Sequence, residues 1–577
     1  MCGIWSFINL IKENPEYSKL YEDFMAIKPR GPDISSIQTI KNVSIGFHRL
    51  SIMDPTFNSN QPYIIKDDER TIVFICNGEI YNFKDLIKDE ELIINNNSDC
   101  MVIPKLFIKY TKYNPNGPTN ITNFCKLFLE TIKGEFAFVL YEFDNLQNLK
   151  QVVAGRDQIG VRPMYYHKIQ PSSTGTMFCS EIKGMKHFKG DIEEFPPGNI
   201  IEIQFDNFYK NIKTNSYNFT SVYNPICFPP EHKFHTLLYD KKEEYYLNNV
   251  RESTINSIKR RLTADRPIAF LLSGGVDSSL VAAISSKLLG RPINTFCCGM
   301  NEGTDLAYAR KVAKHIGSNH TEIFFTPEEG LDAIRDVIYT TESWDVTTIR
   351  ASVGQYLVCK HIGTKTDSRV VMVGEGPDEV CSSYLFNYYA PSAQALDECA
   401  KEYVKKIHMF DCKRADRCIS RWGLEGRVAF LDPEFISSYW SIPRSWRMPL
   451  YKNVEKWWLR KAFDNTNIIP DDVLWRKKEA FSDGVSSKEK SWFQIIQEYI
   501  ETQITDEEFQ TDNKWECPTK EAYYYKKIFV EYFGEKNLSI IPHYWQCKFL
   551  EDGSIINTDS NIKSSYNDPS ARTLRTY

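Results

Sequence analysis

"PIAFLLSGGVDSS", residues 267–279, decides how the second half of the chain folds. A short apolar run breaks at Ser273-Gly274-Gly275, and beyond it Leu280, Val281, Ile284 and Leu288 share one helical face. The pattern predicts a strand, a tight loop and a helix. Unpaired backbone N–H groups and the helix dipole favour phosphate at such a loop, and two glycines let the backbone approach closely. No lysine stands in the loop, so Asp277 is placed to hold Mg²⁺ against pyrophosphate oxygens. The bland alternative is a Gly-rich turn with a serine cap on the helix.

Outward from this loop the period keeps alternating. Strand "INTFCCGM" (293–300), helix "DLAYARKVAKHIG" (305–317), strand "HTEIFFT" (320–326), helix "EEGLDAIRDVIY" (328–339) and strand "RVVMVG" (369–374) follow in order. Such alternation predicts a parallel sheet covered by helices on both sides, with every strand-to-helix loop on its carboxyl edge. A second loop, "VVMVGEGPDEV" (370–380), therefore faces the same edge. It is not a dinucleotide fingerprint, because Glu379 stands where the third glycine of GxGxxG belongs. Its acids Glu375, Asp378 and Glu379 repel one another unless solvated, helix-stabilised or metal-bound. Past Gly374 the chain reads as helical to about Phe533, with a polar tail.

Ahead of residue 241 the character differs. "SIGFHRL" (44–50), "TIVFICNGEIYN" (71–82), "GEFAFVLYEF" (134–143), "QVVAGRD" (151–157) and "NIIEIQF" (199–205) are strand-length runs bounded by Asn, Gly, Asp or Pro. The reading is a β-rich domain over 1–205, a linker over 206–240 and an α/β domain over 241–577.

Composition bounds the function. The 577 residues exceed what one core supports, and 42% hydrophobic with 25% charged residues is ordinary for a folded protein. A net charge of −5 offers no basic field for nucleic acid or anionic membrane. No apolar run approaches the roughly 20 residues of a spanning helix, and no signal-like leader opens the sequence. Fifteen cysteines without a CxxC pair fit reduced thiols in the cytoplasm better than a disulfide scaffold or zinc site. No Gly-Lys dipeptide exists, which excludes a Walker loop.

"LLSGGVDSS" followed by "VGEGPDEV" resembles the ATP-pyrophosphatase domain of glutamine-hydrolysing asparagine synthetases. "TTESWDVTTIRAS", "DCKRADR", "GLEGRVAFLD", "EKWWLRKAF", "WRKKEAFSDGV", "TKEAYYYKKIF" and "DPSARTLRTY" agree in the same order, so the resemblance spans the chain. It implies an N-terminal Ntn-hydrolase-type four-layer sandwich of antiparallel sheets and helices. An adenine nucleotide alpha-hydrolase-like parallel-sheet domain with a helical C-terminal part would follow.

The family's first domain is a class II glutamine amidotransferase whose nucleophile is the cysteine exposed when the initiator methionine leaves. Cys2 matches it. A freed α-amine titrates near about 8, so nucleophile and base would share one residue. By the same resemblance Arg49 in "FHRLSIMD" holds the glutamine α-carboxylate. Asn77 and Gly78 in "NGEIYN" form the oxyanion hole, and Glu79 with Asp99 in "SDCMV" recognises the substrate ammonium. "RGPD" (30–33), "GRDQIGVRPMYY" (155–166) and "SEIKGM" (180–185) match as folding or contact segments. Pro29 stands where the family usually has histidine, Val373 and Pro377 where it usually has serine.

The resemblance also implies that Ser273, Gly274, Gly275, Asp277 and Ser278 cradle the ATP phosphates, and that Leu272, Cys298, Val373 and Gly374 contact the adenosine. Asp277 and Asp378 would ligate Mg²⁺, and Glu375 would serve the acyl-adenylate step, as the base that deprotonates ammonia. Thr347, Thr348 and Arg350 would bind aspartate, and Lys478 would neutralise phosphate or intermediate charge. Substrates are then glutamine, aspartate and ATP, with ammonia conducted internally and a homodimer as the assembly. Two rivals stand beside this reading: a β-lactam synthetase-like enzyme with an internal amine as acceptor, and a degenerate binding subunit. Intact Cys2, Arg49, Asn77 and Asp99 count against the first. Intact Cys2, Asp277 and Glu375 count against the second.

Overall fold

Alternation along two long strands, β5 (Arg70–Ile80) and β6 (Gly134–Asp144), builds the first half. Val73, Ile75, Ala137, Val139 and Tyr141 join one buried cluster, while Phe74, Cys76, Phe136, Phe138 and Leu140 join another. Successive side chains point to opposite faces, so one sheet serves two cores. The computed structural model describes every residue except 12–15, 68, 116, 170–172, 207–211, 219–238, 301–302, 478–489, 551–554 and 556–577.

Two antiparallel six-stranded sheets form. The first contains β1 (Gly3–Asn9), β2 (Ile34–Ile40) and β3 (Val43–Arg49), extended by β8 (Tyr165–Tyr166), β9 (Gly175–Cys179) and β10 (Glu193–Glu194). The second pairs β5 and β6 with β4 (Tyr63–Asp67), β7 (Leu149–Arg156), β11 (Asn199–Phe205) and β12 (Ile212–Asn218). Ile4, Ile8, Val43, Ile45 and Phe47 of the first sheet meet the inner face of the second. Helices Val102–Tyr110 and Thr122–Thr131 cover its outer face through Leu106, Phe107, Phe124 and Phe128. Helix Tyr17–Ala26 covers the first sheet, Phe24 lying edge-on to Trp5 at 5.9 Å. The result is the expected sandwich of helix, sheet, sheet and helices.

The chain divides into two compact units. The first holds Met1–Thr220 together with Thr263–Arg266 and Ser420–Glu425. Those last two segments, read from sequence as part of the α/β domain, are drawn in by named bonds: Met1 N–H donates to Leu424 O at 2.8 Å and Asp54 N–H to Asp265 Oδ2 at 2.9 Å. β12 falls within the stretch read as linker and pairs with β11 along its whole length.

In the second unit β13 (Ile268–Leu271), β14 (Asn294–Gly299), β15 (Asn319–Phe324) and β16 (Val370–Val373) pair in parallel, in the order β15-β14-β13-β16 with β17 (Glu425–Val428) beyond. Helices α1 (Val276–Leu289) and α2 (Thr304–Ile316) follow β13 and β14, and two helices, α3 (Pro327–Thr341) and α4 (Val346–Lys365), stand between β15 and β16, where the sequence reading had one. Leu280, Val281 and Ile284 are buried as their spacing predicts, but Leu288, in the last turn of α1, is 41% exposed. The remaining described chain to Phe533 is mostly helical. No described helix is long and apolar enough to cross a membrane.

His48 on β3 is fully buried, its ring stacked on Phe24 at 4.0 Å and its Nε2 2.9 Å from Phe24 O. Burial drives its pKa from 6.5 down to about 4. Between those values the unfolded chain binds the extra proton, so stability falls as pH drops through that window, by about 1.4 kcal/mol per pH unit. Amide exchange in β3 should accelerate from pH 7 to 5 relative to its intrinsic rate, and His48→Gln should flatten that dependence.

Candidate functional site

β1 and β3 set the first centre. Gly3 pairs with His48, which brings Cys2 opposite Arg49 at the end of β3. Cys2 packs against the inter-sheet core, and Asn77 continues the parity of Val73 and Ile75 toward that same face. The Asn77 amide is fully buried, and neither Oδ1 nor Nδ2 has a hydrogen-bond partner. An amide left so costs about 1–3 kcal/mol unless something binds it. Gly78 follows on β5, Glu79 is buried, and Asp99 accepts from Ile80 N–H at 2.6 Å.

With Met1 in place, burial lowers the chain's α-amine to about 5 and raises the Cys2 thiol to about 11. The thiol is then protonated near neutrality, and the nitrogen of Cys2 itself is an amide. Arg49 Nη1 donates to Thr56 O at 2.7 Å and to Asn60 Oδ1 at 2.5 Å, and Nη2 donates to the Asp54 carbonyl. This arginine therefore shapes the 53–60 loop. Arg30, read from sequence as a folding or contact residue, donates from Nε to Cys2 O at 3.0 Å and pairs with Glu181 at 2.7 Å. Pro29 lies inside the 3₁₀ turn Lys28–Arg30, where its fixed φ and missing N–H are tolerated.

The second centre lies on the carboxyl edge of the parallel sheet. Leu272 N–H donates to Phe296 O at 2.8 Å, and the following loop closes on itself through Ser278 Oγ, which accepts from Ser273 N–H at 3.2 Å. Asp277 lies in the first turn of α1. The second loop reaches it because Gly374 has no side chain: a Cβ there would lie 2.8 Å from Ser278 N. Pro377 opens a short helix at the position that suits proline, and Val373 is buried strand, so both departures leave the backbone intact.

Lys456, in "EKWWLRKAF" but assigned no role from sequence, locks the two loops together. Its buried ammonium pairs with Asp277 and, at 2.6 Å, with Asp378. Burial opposes the charge, yet the two carboxylates outweigh it and hold the lysine charged. Glu375 accepts from Gln355 Nε2 at 2.9 Å and lies 3.6 Å from Arg414; burial raises its pKa against that arginine. Cys298 sits at the end of β14, its thiol 3.1 Å from Gly354 O.

The residues expected at aspartate share the start of α4 but differ in their partners. Thr347 keeps a buried hydroxyl without a partner, while Thr348 N–H is capped by Asp345 at 2.7 Å. Arg350, expected as a ligand, pairs with Glu521 by two bonds of 2.8 and 2.6 Å, with side chains 5% and 2% exposed. Lys478 lies outside the described residues.

A glutamine amidotransferase domain model matches residues 1–225, and an asparagine synthase model matches 249–403 and 390–546. The class is thus an amidotransferase joined to a synthetase. Asparagine synthetases [glutamine-hydrolyzing] of Gallus gallus and Homo sapiens are each 37% identical to this chain, over 597 and 606 residues, covering 100% of it and 99% of each relative. The chain belongs to the glutamine-hydrolysing asparagine synthetase family.

Removing one partner of a buried pair strands the other charge, typically at about 3–5 kcal/mol. Glu521→Gln should lower denaturant stability of the second unit by that order, and Arg350→Met with Glu521→Leu should recover most of it in a double-mutant cycle.

Proposed function

We propose that this chain converts aspartate, glutamine, ATP and water to asparagine, glutamate, AMP and pyrophosphate. The observation that carries the reading is the buried Asn77 amide, unpaired on the face where Cys2 lies. Loss of Met1 would turn the Cys2 nitrogen into an amine able to take the thiol proton. The thiolate then attacks the glutamine amide carbon, with Asn77 Nδ2 and the Gly78 N–H meeting the developing oxyanion. Arg49 would grip the α-carboxylate, exchanging a loop carbonyl for it, and Glu79 with Asp99 would meet the ammonium. Arg30 holds the Cys2 carbonyl and so the direction of the nucleophile.

In the second unit the Ser273–Ser278 loop and Gly374 would accept ATP, with Leu272, Cys298 and Val373 beside the adenosine. The donor set fits Mg²⁺: the metal commonly takes one or two carboxylates and completes its shell from phosphate and water, and here two carboxylates already meet around a cation. Asp277 and Asp378 would hold the ion, which when bound neutralises charge on the pyrophosphate. The aspartate β-carboxylate attacks the α-phosphorus, pyrophosphate leaves, and ammonia displaces AMP from the acyl carbon. Glu375, its pKa raised by burial, would take the proton from ammonia. Thr347, Thr348 and Arg350 would hold aspartate, Arg350 only by releasing Glu521. Lys456, with Lys478, would supply positive charge to the phosphates. All described cysteines are free, which supports a reducing cytoplasm; family resemblance supports a homodimer.

Cys2→Ala should abolish glutamine-dependent asparagine formation and spare the ammonium-dependent reaction; loss of both would refute the division of labour. Glu375→Ala should slow ammonium-dependent asparagine formation by about 10²–10⁴-fold while glutamine hydrolysis persists. Unchanged asparagine formation would remove Glu375 from its role.

A further inference from the structure

Arg476 lies shortly before residue 478, and its side chain is 7% exposed. It touches both the loop at Gly274 and the helix that follows β14. Nη1 donates to Gly274 O at 3.3 Å, Nη2 donates to Asp305 Oδ1 at 3.0 Å, and the guanidinium carbon lies 4.1 Å from the centre of the Tyr308 ring. Asp305 and Tyr308 both belong to the first turns of α2. Gly274 itself is pressed onto that helix: its φ is +77°, and a Cβ there would lie 2.5 Å from Tyr308 Cβ and 2.6 Å from Ala309 N.

We propose that Arg476 is a positioning residue that holds the Ser273–Ser278 loop in its phosphate-accepting shape. The physical link is the planarity of one peptide. Gly274 C=O and Gly275 N–H belong to the same trans unit and point in opposite directions. Arg476 holds the carbonyl on the α2 side, so Gly275 N–H points the other way, toward Ser273 Oγ at 3.3 Å. With glycine on both sides this peptide can rotate at low steric cost. A flip would turn a carbonyl oxygen toward the phosphates and remove a donor. Asp305 keeps the guanidinium from following the carbonyl, and Tyr308 fixes its plane. Arg476 would therefore act on ATP affinity through the loop and touch no reacting atom.

The inference rests on the reading that this loop receives ATP, not on the amidation that follows. Apparent affinity falls by the fraction of time the loop is competent, so a peptide correctly oriented about a tenth of the time weakens ATP about tenfold. Arg476→Ala in the full chain should raise the calorimetric Kd for ATP, and the KM for ATP in ammonium-dependent synthesis, by about tenfold or more. Turnover number and glutamine hydrolysis should stay near those of the parent. Added guanidinium ion should restore part of the lost affinity, Asp305→Asn should shift it the same way by less, and Tyr308→Phe should leave it unchanged. If Arg476→Ala does not fold, Arg476→Lys and Asp305→Asn carry the decision by the same Kd. Kd within about twofold of the parent in folded Arg476→Ala, or in both Arg476→Lys and Asp305→Asn where Arg476→Ala does not fold, or a turnover loss with unchanged KM, overturns the proposal. A parent that binds ATP but forms no asparagine, with binding still weakened by Arg476→Ala, would refute the proposed reaction and leave the brace standing.

Discussion

A buried ammonium shared by two carboxylates organises the second unit. Lys456 can be charged there only because Asp277 and Asp378 stand on either side, and those acids can lie so close only because a cation separates them. The triad fixes the distance between the two strand-end loops. Gly374 makes that distance reachable, since any side chain would strike the backbone at Ser278. The two loops thus meet at a contact of one cation and two carboxylates, and the cost of bringing two acids together is met by folding.

The first unit solves the opposite problem. Its centre is built from polar groups exposed to the interior between two apolar sheets, and most of them are satisfied: Arg30 by Glu181 and the Cys2 carbonyl, Arg162 by Glu135, Asp99 by a backbone N–H. Asn77 stands apart because both polar atoms of its amide lack a partner. In an apolar core an unpaired amide is retained at a cost, which a group that pairs with it would recover. Buried arginine pairs recur in both units, at Arg70–Glu142 and at Arg417–Glu342. Their net stabilisation is modest, but each admits one arrangement of its elements.

Much of this was legible because strand-length runs rich in β-branched and aromatic residues and bounded by turn residues announce themselves: β6 and β11 fall within a residue of the runs seen in the sequence. The strand-loop-helix at 268–289 was equally plain. Less visible were β8 and β10, too short to show a period, and β12, a polar strand whose only signal is its partner β11. Pro29 and Pro377 looked like departures and proved to be first-turn prolines, a distinction that depends on where a turn starts.

Sequence alone determined the order of most elements and the two chemistries, because strand-length apolar runs, Gly-rich loops and ordered motifs are local properties of the chain. Tertiary structure decided which charges meet. Lys456 lies 179 residues from Asp277, Arg476 202 residues from Gly274, and Glu521 171 residues from Arg350. No periodicity reports a partner at such separations; only the packed fold, by removing water from both members, makes one specific cation answer one specific acid or carbonyl.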